Sequence, residues 1–288
     1  MIHLDRVLFP TDGSACAERA WAHARSLANR FDAALDVLQV VPPEAPAEPA
    51  AADAASAPSP AQPRCVPSRS PADGILRSAA RHDATLIVLG THGRRGVERL
   101  LMGSVAEEVV RRASGPVFTV GRQTPTPATL AGGRLLVPVD FSPHRARLLG
   151  YAREWARLYD LSCTLLHVVE TEGLPDAYSV YQDPTEPDLI TNRVARALAP
   201  AADALRAHGL DVEVAVRTGH PVAQILDAAT TLDVDALTIA THGRSGVQRF
   251  LLGSVAQRVV RHVPCPVLTV KAFGPSLVAP EPDADAPA

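Results

Sequence analysis

The chain contains one segment twice. "GTHGRRGVERLLMGSV" fills residues 90–105 and "ATHGRSGVQRFLLGSV" fills residues 240–255, with eleven of the sixteen paired positions identical. Upstream, "VLFPTDGS" at 7–14 pairs with "LLVPVDFS" at 135–142, and "DVLQVV" at 36–41 with "TLLHVV" at 164–169, both at an offset of 128. From Pro71 and Pro221 onward the offset is 150, and it holds through "GPVFTV" at 115–120 and "CPVLTV" at 265–270. A duplication of this length means two copies of one folding unit, and any fold must be built twice. The first copy is 22 residues shorter, and the deficit lies between Val41 and Pro71.

The second copy reads as alternating strands and helices. "RLLVPVD" is a buried strand, and 142–159 has helical apolar spacing through Leu148, Ala152, Trp155 and Leu158. "CTLLHVV" is a strand, 185–208 a helix, and "DVEVAV" alternates as a strand. "HPVAQILDAATTL" opens a helix with proline early in the first turn. A strand "DALTIA", a helix over 254–263 and a strand "PVLTV" follow. Such alternation predicts a parallel sheet with helices on both faces. The first copy follows the same plan except over 42–63, where seven prolines and nine alanines among twenty-two residues forbid a continuous helix and predict a disordered loop. It therefore lacks one crossover helix, and its third strand is weak or absent. The expected units are residues 1–122, a linker at 123–133, residues 134–273, and an acidic, disordered tail at 274–288 without a core.

Composition narrows the function classes. At 288 residues each copy can bury its own core. A formal net charge of −3 gives no general attraction to nucleic acid or to an anionic membrane, and no apolar run approaches the roughly 18 residues that cross a bilayer. The opening "MIHLDRVLFPTDGS" reads as a first strand rather than a leader. Cys16, Cys65, Cys163 and Cys265 lie far apart and read as reduced cytosolic thiols. Lys271 is the sole lysine, which excludes a Gly-Lys-Ser/Thr phosphate loop and a kinase-type strand lysine. No zinc spacing and no Gly-x-Ser-x-Gly elbow occurs.

The repeated segment carries the chemistry. In each copy an apolar strand ends in Gly90 or Ala240, then come Gly93 or Gly243 and the pairs Gly103-Ser104 and Gly253-Ser254, after which a helix begins. A helix start preceded by glycine offers bare N–H groups at the positive end of the helix dipole, suited to phosphate. Ser104 with Glu107, and Ser254 with Gln257, also fit a capping box. Asp12 and Asp140 end the first strands within Pro-x-Asp-x-Ser, where they can serve a ligand beyond the strand ends or cap the next helix. His92, Arg94, His242 and Arg244 suit phosphate or plain surface alike; Tyr178 and Tyr181 read as loop packing, and Trp21 and Trp155 as core.

Gly-x-x-Gly-x9-Gly-Ser after an Asp-bearing first strand resembles the ATP-binding pattern of the universal stress protein family, and "VPVDFS" and "PCPVLTV" resemble its opening and closing strands. The resemblance covers nearly the whole chain as two tandem family domains. It implies two doubly wound parallel α/β sheets of strand order 3-2-1-4-5, of the adenine-nucleotide alpha hydrolase-like type, the first truncated in the middle. It implies ATP, with Mg²⁺, between strands one and four. Asp12 and Asp140 would serve the ribose side, Val41 and Val169 would meet adenine through the backbone, and Gly90, Gly93, Gly103, Ser104 and Val105 would line ribose and phosphates. Gly243, Gly253, Ser254 and Val255 would do so in the second copy, where Ala240 replaces the pattern's first glycine. The resemblance further implies pairing of the two units through their last strands, or a homodimer. The expected function is a cytoplasmic, ATP-binding regulator of the stress response, with a slow ATPase switch and a nucleotide-free scaffold as alternatives.

Overall fold

A computed structural model describes residues 2–44, 63–92, 102–121, 124–170, 188–241 and 252–278. The first half runs β1 (Arg6–Pro10), α1 (Ala15–Phe31), β2 (Ala34–Val41), β3 (Arg64–Pro67), α2 (Pro71–Arg81), β4 (Leu86–Gly90), α3 (Ser104–Arg112) and β5 (Val117–Val120). A short helix α4 (Pro127–Leu130) precedes the second half. That half comprises β6 (Arg134–Pro138), α5 (Arg145–Tyr159), β7 (Ser162–Val169), α6 (Asp188–Ala207), β8 (Val212–Thr218), α7 (Pro221–Thr231), β9 (Ala236–Ala240), α8 (Ser254–His262) and β10 (Val267–Val270).

Local chemistry accounts for the helices. Ser14 caps α1 by accepting the Ala17 N–H, and Ser70 does the same for α2, followed by Pro71 in the first turn. The buried residues of α1, Cys16, Ala17, Ala20, His23, Ala24, Leu27 and Ala28, recur at three and four and form one face. Asp32, Asp83, Asp160 and Asp233 follow α1, α2, α5 and α7, all with φ near +50°. An aspartate tolerates this left-handed turn less well than glycine but better than a branched residue.

Each half has the expected order, β3-β2-β1-β4-β5 and β8-β7-β6-β9-β10, with parallel pairing throughout. The halves do not end separately. β5 and β10 pair antiparallel, with Phe118 opposite Leu268, and join them into a ten-stranded sheet. Side chains alternate across it. Val7, Phe9, Val137 and Leu165 pack under α1, α5 and α6, whereas Leu8, Leu136 and Leu166 pack under α2, α3, α7 and α8. Because the joining pair is antiparallel, the carboxyl ends of the first-half strands and of the second-half strands lie on opposite edges of the sheet.

The third strand is weak, as expected, the linker packs against both halves, and the expected tail needs correction. β3 is present, though only four residues long, and it pairs with β2 from Leu38–Arg64 to Val41–Pro67. The connector is ordered where described: Leu130 is fully buried, the Pro125 carbonyl lies 2.9 Å from His23 Nε2, and the Thr124 carbonyl accepts from Arg19. Residues 274–278 belong to the core rather than to a tail. Leu277 and Val278 are buried, the Leu277 N–H donates to the Tyr151 hydroxyl at 2.7 Å, and Val278 bridges to Ile2. Residues 45–62 and 279–288 lie outside the described residues.

Candidate functional site

In the first half, β1 and β4 are neighbours whose following helices go to opposite faces of the sheet, so a crevice opens beyond their carboxyl ends. Asp12, Gly90, Gly103, Ser104 and Val105 lie around it, and three contacts tie its walls together. The Asp12 carboxylate accepts the Ser14 N–H at 3.0 Å and shapes the turn after β1. The Ser14 hydroxyl donates to the His92 carbonyl at 2.9 Å, tying that turn to the chain leaving β4. The Gly103 N–H donates to the Thr91 carbonyl at 2.6 Å, closing the loop that runs from β4 into α3. Thr91 in turn donates its own N–H to Val120 on β5. A Cβ on Gly103 would stand 3.1 Å from the Thr91 oxygen, a tight contact that favours glycine.

Two local readings change. Gly103, not Ser104, is the N-cap of α3, and Gly253 is that of α8; neither supplies a side-chain cap. The capping boxes are therefore not formed. Glu107 instead accepts a bond from its counterpart Gln257 at 2.8 Å, because the two helices meet across the joined sheet. The first amides of α3 consequently have no side-chain cap on Gly103 to serve them, and helix N-termini leave such donors without intrahelical partners. Asp12 and Asp140 are not helix caps either: each accepts the N–H two residues on, and the caps are Ser14 and His144.

Gly90 also has a packing role. A Cβ at that position would lie 2.8–2.9 Å from the backbone of Cys16 and Ala17. What needs the missing side chain is the start of α1, which presses on the end of β4. In the second half α5 begins at Arg145, the counterpart of Ala17, so its first turn starts two residues later than that of α1. The Ala240 methyl is accommodated there, packed against the core cluster under α5. Glycine to alanine is thus matched by a shorter helix.

Val41 and Val169 lie at the ends of β2 and β7, where their carbonyls accept from Ser68 and Gly219 at 2.8 and 2.9 Å. Val41 lines an open cleft of about 380 Å³ with Val40, Pro42, Pro43, Glu44, Ser68, Arg69 and Pro71. Its described lining contains none of Asp12, Gly90, Gly103 or Ser104. The second half repeats the frame: Gly253 donates to Thr241 at 2.7 Å, and Asp140 holds Ser142. There Phe141 stacks near His167, at 4.8 Å between ring centres, with the Arg145 guanidinium 5.8 Å from the Phe141 ring. Ser254 is exposed, and Val255, like Val105, packs partly against the core beneath. Gly93, Arg94, His242, Gly243, Arg244, Tyr178 and Tyr181 lie outside the described residues.

Ser14 and Thr91 were not singled out from sequence. Their signal was present, since Ser142 and Thr241 repeat them at the duplicated offsets. Among the described residues no His/Cys/Asp/Glu group is arranged to hold a metal ion, and no helix is long and apolar enough to cross a membrane. Burial pushes the Cys163 thiol up to about 12, which keeps it protonated and inert.

Fold and crevice together define a tandem doubly wound α/β protein with a strand-switch site in each half. The universal stress protein family model matches residues 3–65, 51–121 and 133–271, and the chain belongs to that family. A universal stress protein of Methanocaldococcus jannaschii is 28% identical over 48% of this chain and 81% of its own length. One from Mycobacterium bovis is 28% identical over 65% of this chain and 58% of its own length, so the chain spans little more than half of that relative. The crystal structure of a universal stress protein from Archaeoglobus fulgidus shares the fold across 93% of this chain and 96% of its own, at a TM-score of 0.60 and 19% identity. Another from that organism, solved in complex with dAMP, is 25% identical over 48% of this chain and 98% of its own, with a TM-score of 0.34.

Proposed function

We propose that the chain binds an adenine nucleotide, ATP with Mg²⁺, in the β1–β4 crevice and its second-half counterpart, and acts as a nucleotide-dependent regulator of the stress response in the cytoplasm. The observation that carries this reading is the glycine-capped start of α3. Its first amides meet a crevice whose walls are tied together through Ser14–His92 and Gly103–Thr91. Uncapped amides and the helix dipole together favour a polyanion there. The residues fit the ligand in size as well, because Gly103 and the exposed Ser104 leave the helix end uncrowded. Ser104 and Val105 would hold phosphate oxygens with Gly103 leaving them room, Asp12 the ribose, and the Val41 backbone with its cleft the base. Gly253, Ser254, Val255, Asp140 and Val169 would do likewise in the second half. The ion would travel with the phosphates, as Mg²⁺ commonly does.

Calorimetric titration of the purified chain with ATP and Mg²⁺ tests this, with Gly103→Asp and Gly253→Asp as separate variants. Each should remove binding at its own half by placing bulk and negative charge at the helix end. A chain that takes up no adenine nucleotide at millimolar concentration refutes the reading. Unchanged affinity in both variants refutes the placement.

A further inference from the structure

When two copies of a unit are related by a two-fold axis, a residue that touches its own counterpart lies on that axis. Three such contacts occur here. Phe118 faces Leu268 across β5 and β10, Glu107 accepts from Gln257 at 2.8 Å, and the Arg30 guanidinium donates to the Leu158 carbonyl at 2.8 Å. They lie respectively in the sheet and on its two faces. Around them the pairing is symmetric: the Thr119 hydroxyl donates to the Val267 carbonyl, and Thr269 donates to Val117. On the axis itself the two halves differ at every contact.

The geometry points to a pairing code that admits the second half and rejects another first half. Two first halves meeting in this way would set Glu107 against Glu107 at hydrogen-bond distance, a like-charge contact. They would also set Arg30 against Arg30. Phe118 rests edge-on against Trp155 of the second half, with ring centres 5.0 Å apart; the counterpart of Trp155 in a first half is Leu27, which offers no ring. Lys271 adds a one-way contact. Its ammonium donates to the Val110 and Arg111 carbonyls at 2.5 and 3.3 Å, at the end of α3, while its counterpart Gly121 has no side chain with which to reciprocate. The surface made by β5 and α3 is therefore specific for a second half, and the first half of a further copy cannot take it over.

The full-length chain tests this with Gln257→Glu, with Glu107→Gln, and with the exchange Glu107→Gln/Gln257→Glu. Gln257→Glu should melt about 3 °C or more below the parent at pH 7. Glu107→Gln, which leaves two neutral amides, should stay close to the parent, and the exchange should return to it. A Gln257→Glu chain as stable as the parent, or an exchange no better than that single change, would overturn the proposal.

Discussion

The assignment of Gly90 to helix packing makes a demanding prediction. Gly90→Ala adds one methyl whose carbon would stand 2.8 Å from the Cys16 carbonyl carbon and 2.9 Å from the Ala17 nitrogen. Ordinary contacts lie near 3.5–4.0 Å, so α1 must back away from β4 by several tenths of an ångström. Both neighbours are backbone atoms of an ordered helix turn, and no side chain can rotate to yield. Overpacking of this kind costs about 1–3 kcal/mol, and in a chain of this size each kcal/mol lowers Tm by roughly 2–4 °C. A fall of about 2–12 °C is therefore expected on thermal denaturation followed by circular dichroism. The mirror change Ala240→Gly relieves no clash, because α5 starts later; it should cost no more than about 1 kcal/mol through chain entropy and one lost methyl. If Gly90→Ala melts with the parent while losing nucleotide affinity, the glycine serves the ligand and the packing argument is wrong.

Two buried bases give pH signatures. Burial lowers the pKa of His23, which sits between Phe118 and Tyr159. The unfolded chain thus takes up a proton near pH 6.5 that the folded chain resists, so stability must fall as the pH drops below about 6.5. His23→Phe should flatten that limb of a Tm–pH curve, and an unchanged slope would show the site to be solvated. Lys271 is held at about 8 by desolvation. At pH 8 and below the folded state bears the cost of the buried charge, and between pH 8 and about 10.5 that cost is relieved, by at most about 3 kcal/mol. Relative to Lys271→Met, the parent should gain stability across this window; parallel curves would contradict the burial of the ammonium.

Much of the architecture was legible because duplication supplies two readings of one plan. The 128 and 150 offsets aligned every strand of the two halves except β3 and β8, the alternation of apolar strands with helices gave a parallel sheet, and the 3-2-1-4-5 order followed from the family resemblance. The site was legible in part. The glycines marked the start of α3 correctly, since a helix end stripped of side chains has a sequence signature. Their reasons were not legible, because the neighbour that excludes a Cβ is distant in sequence. Gly90 is shaped by Cys16 and Ala17, and Gly103 by Thr91. The same holds for the capping boxes: the spacing is local, but Glu107 met Gln257, a partner 150 residues away.

The sequence by itself determined that there are two α/β units, where their strands begin and end, and that each carries a bare helix start beyond an aspartate. Periodicity, proline and glycine act over a few residues, and such short-range preferences are written along the chain. Tertiary structure alone decided that the units share one ten-stranded sheet, that their crevices open on opposite edges, and that Leu277 and Val278 close the core. Those outcomes depend on which surfaces find each other in space, and burial between distant segments leaves no periodic mark on either of them.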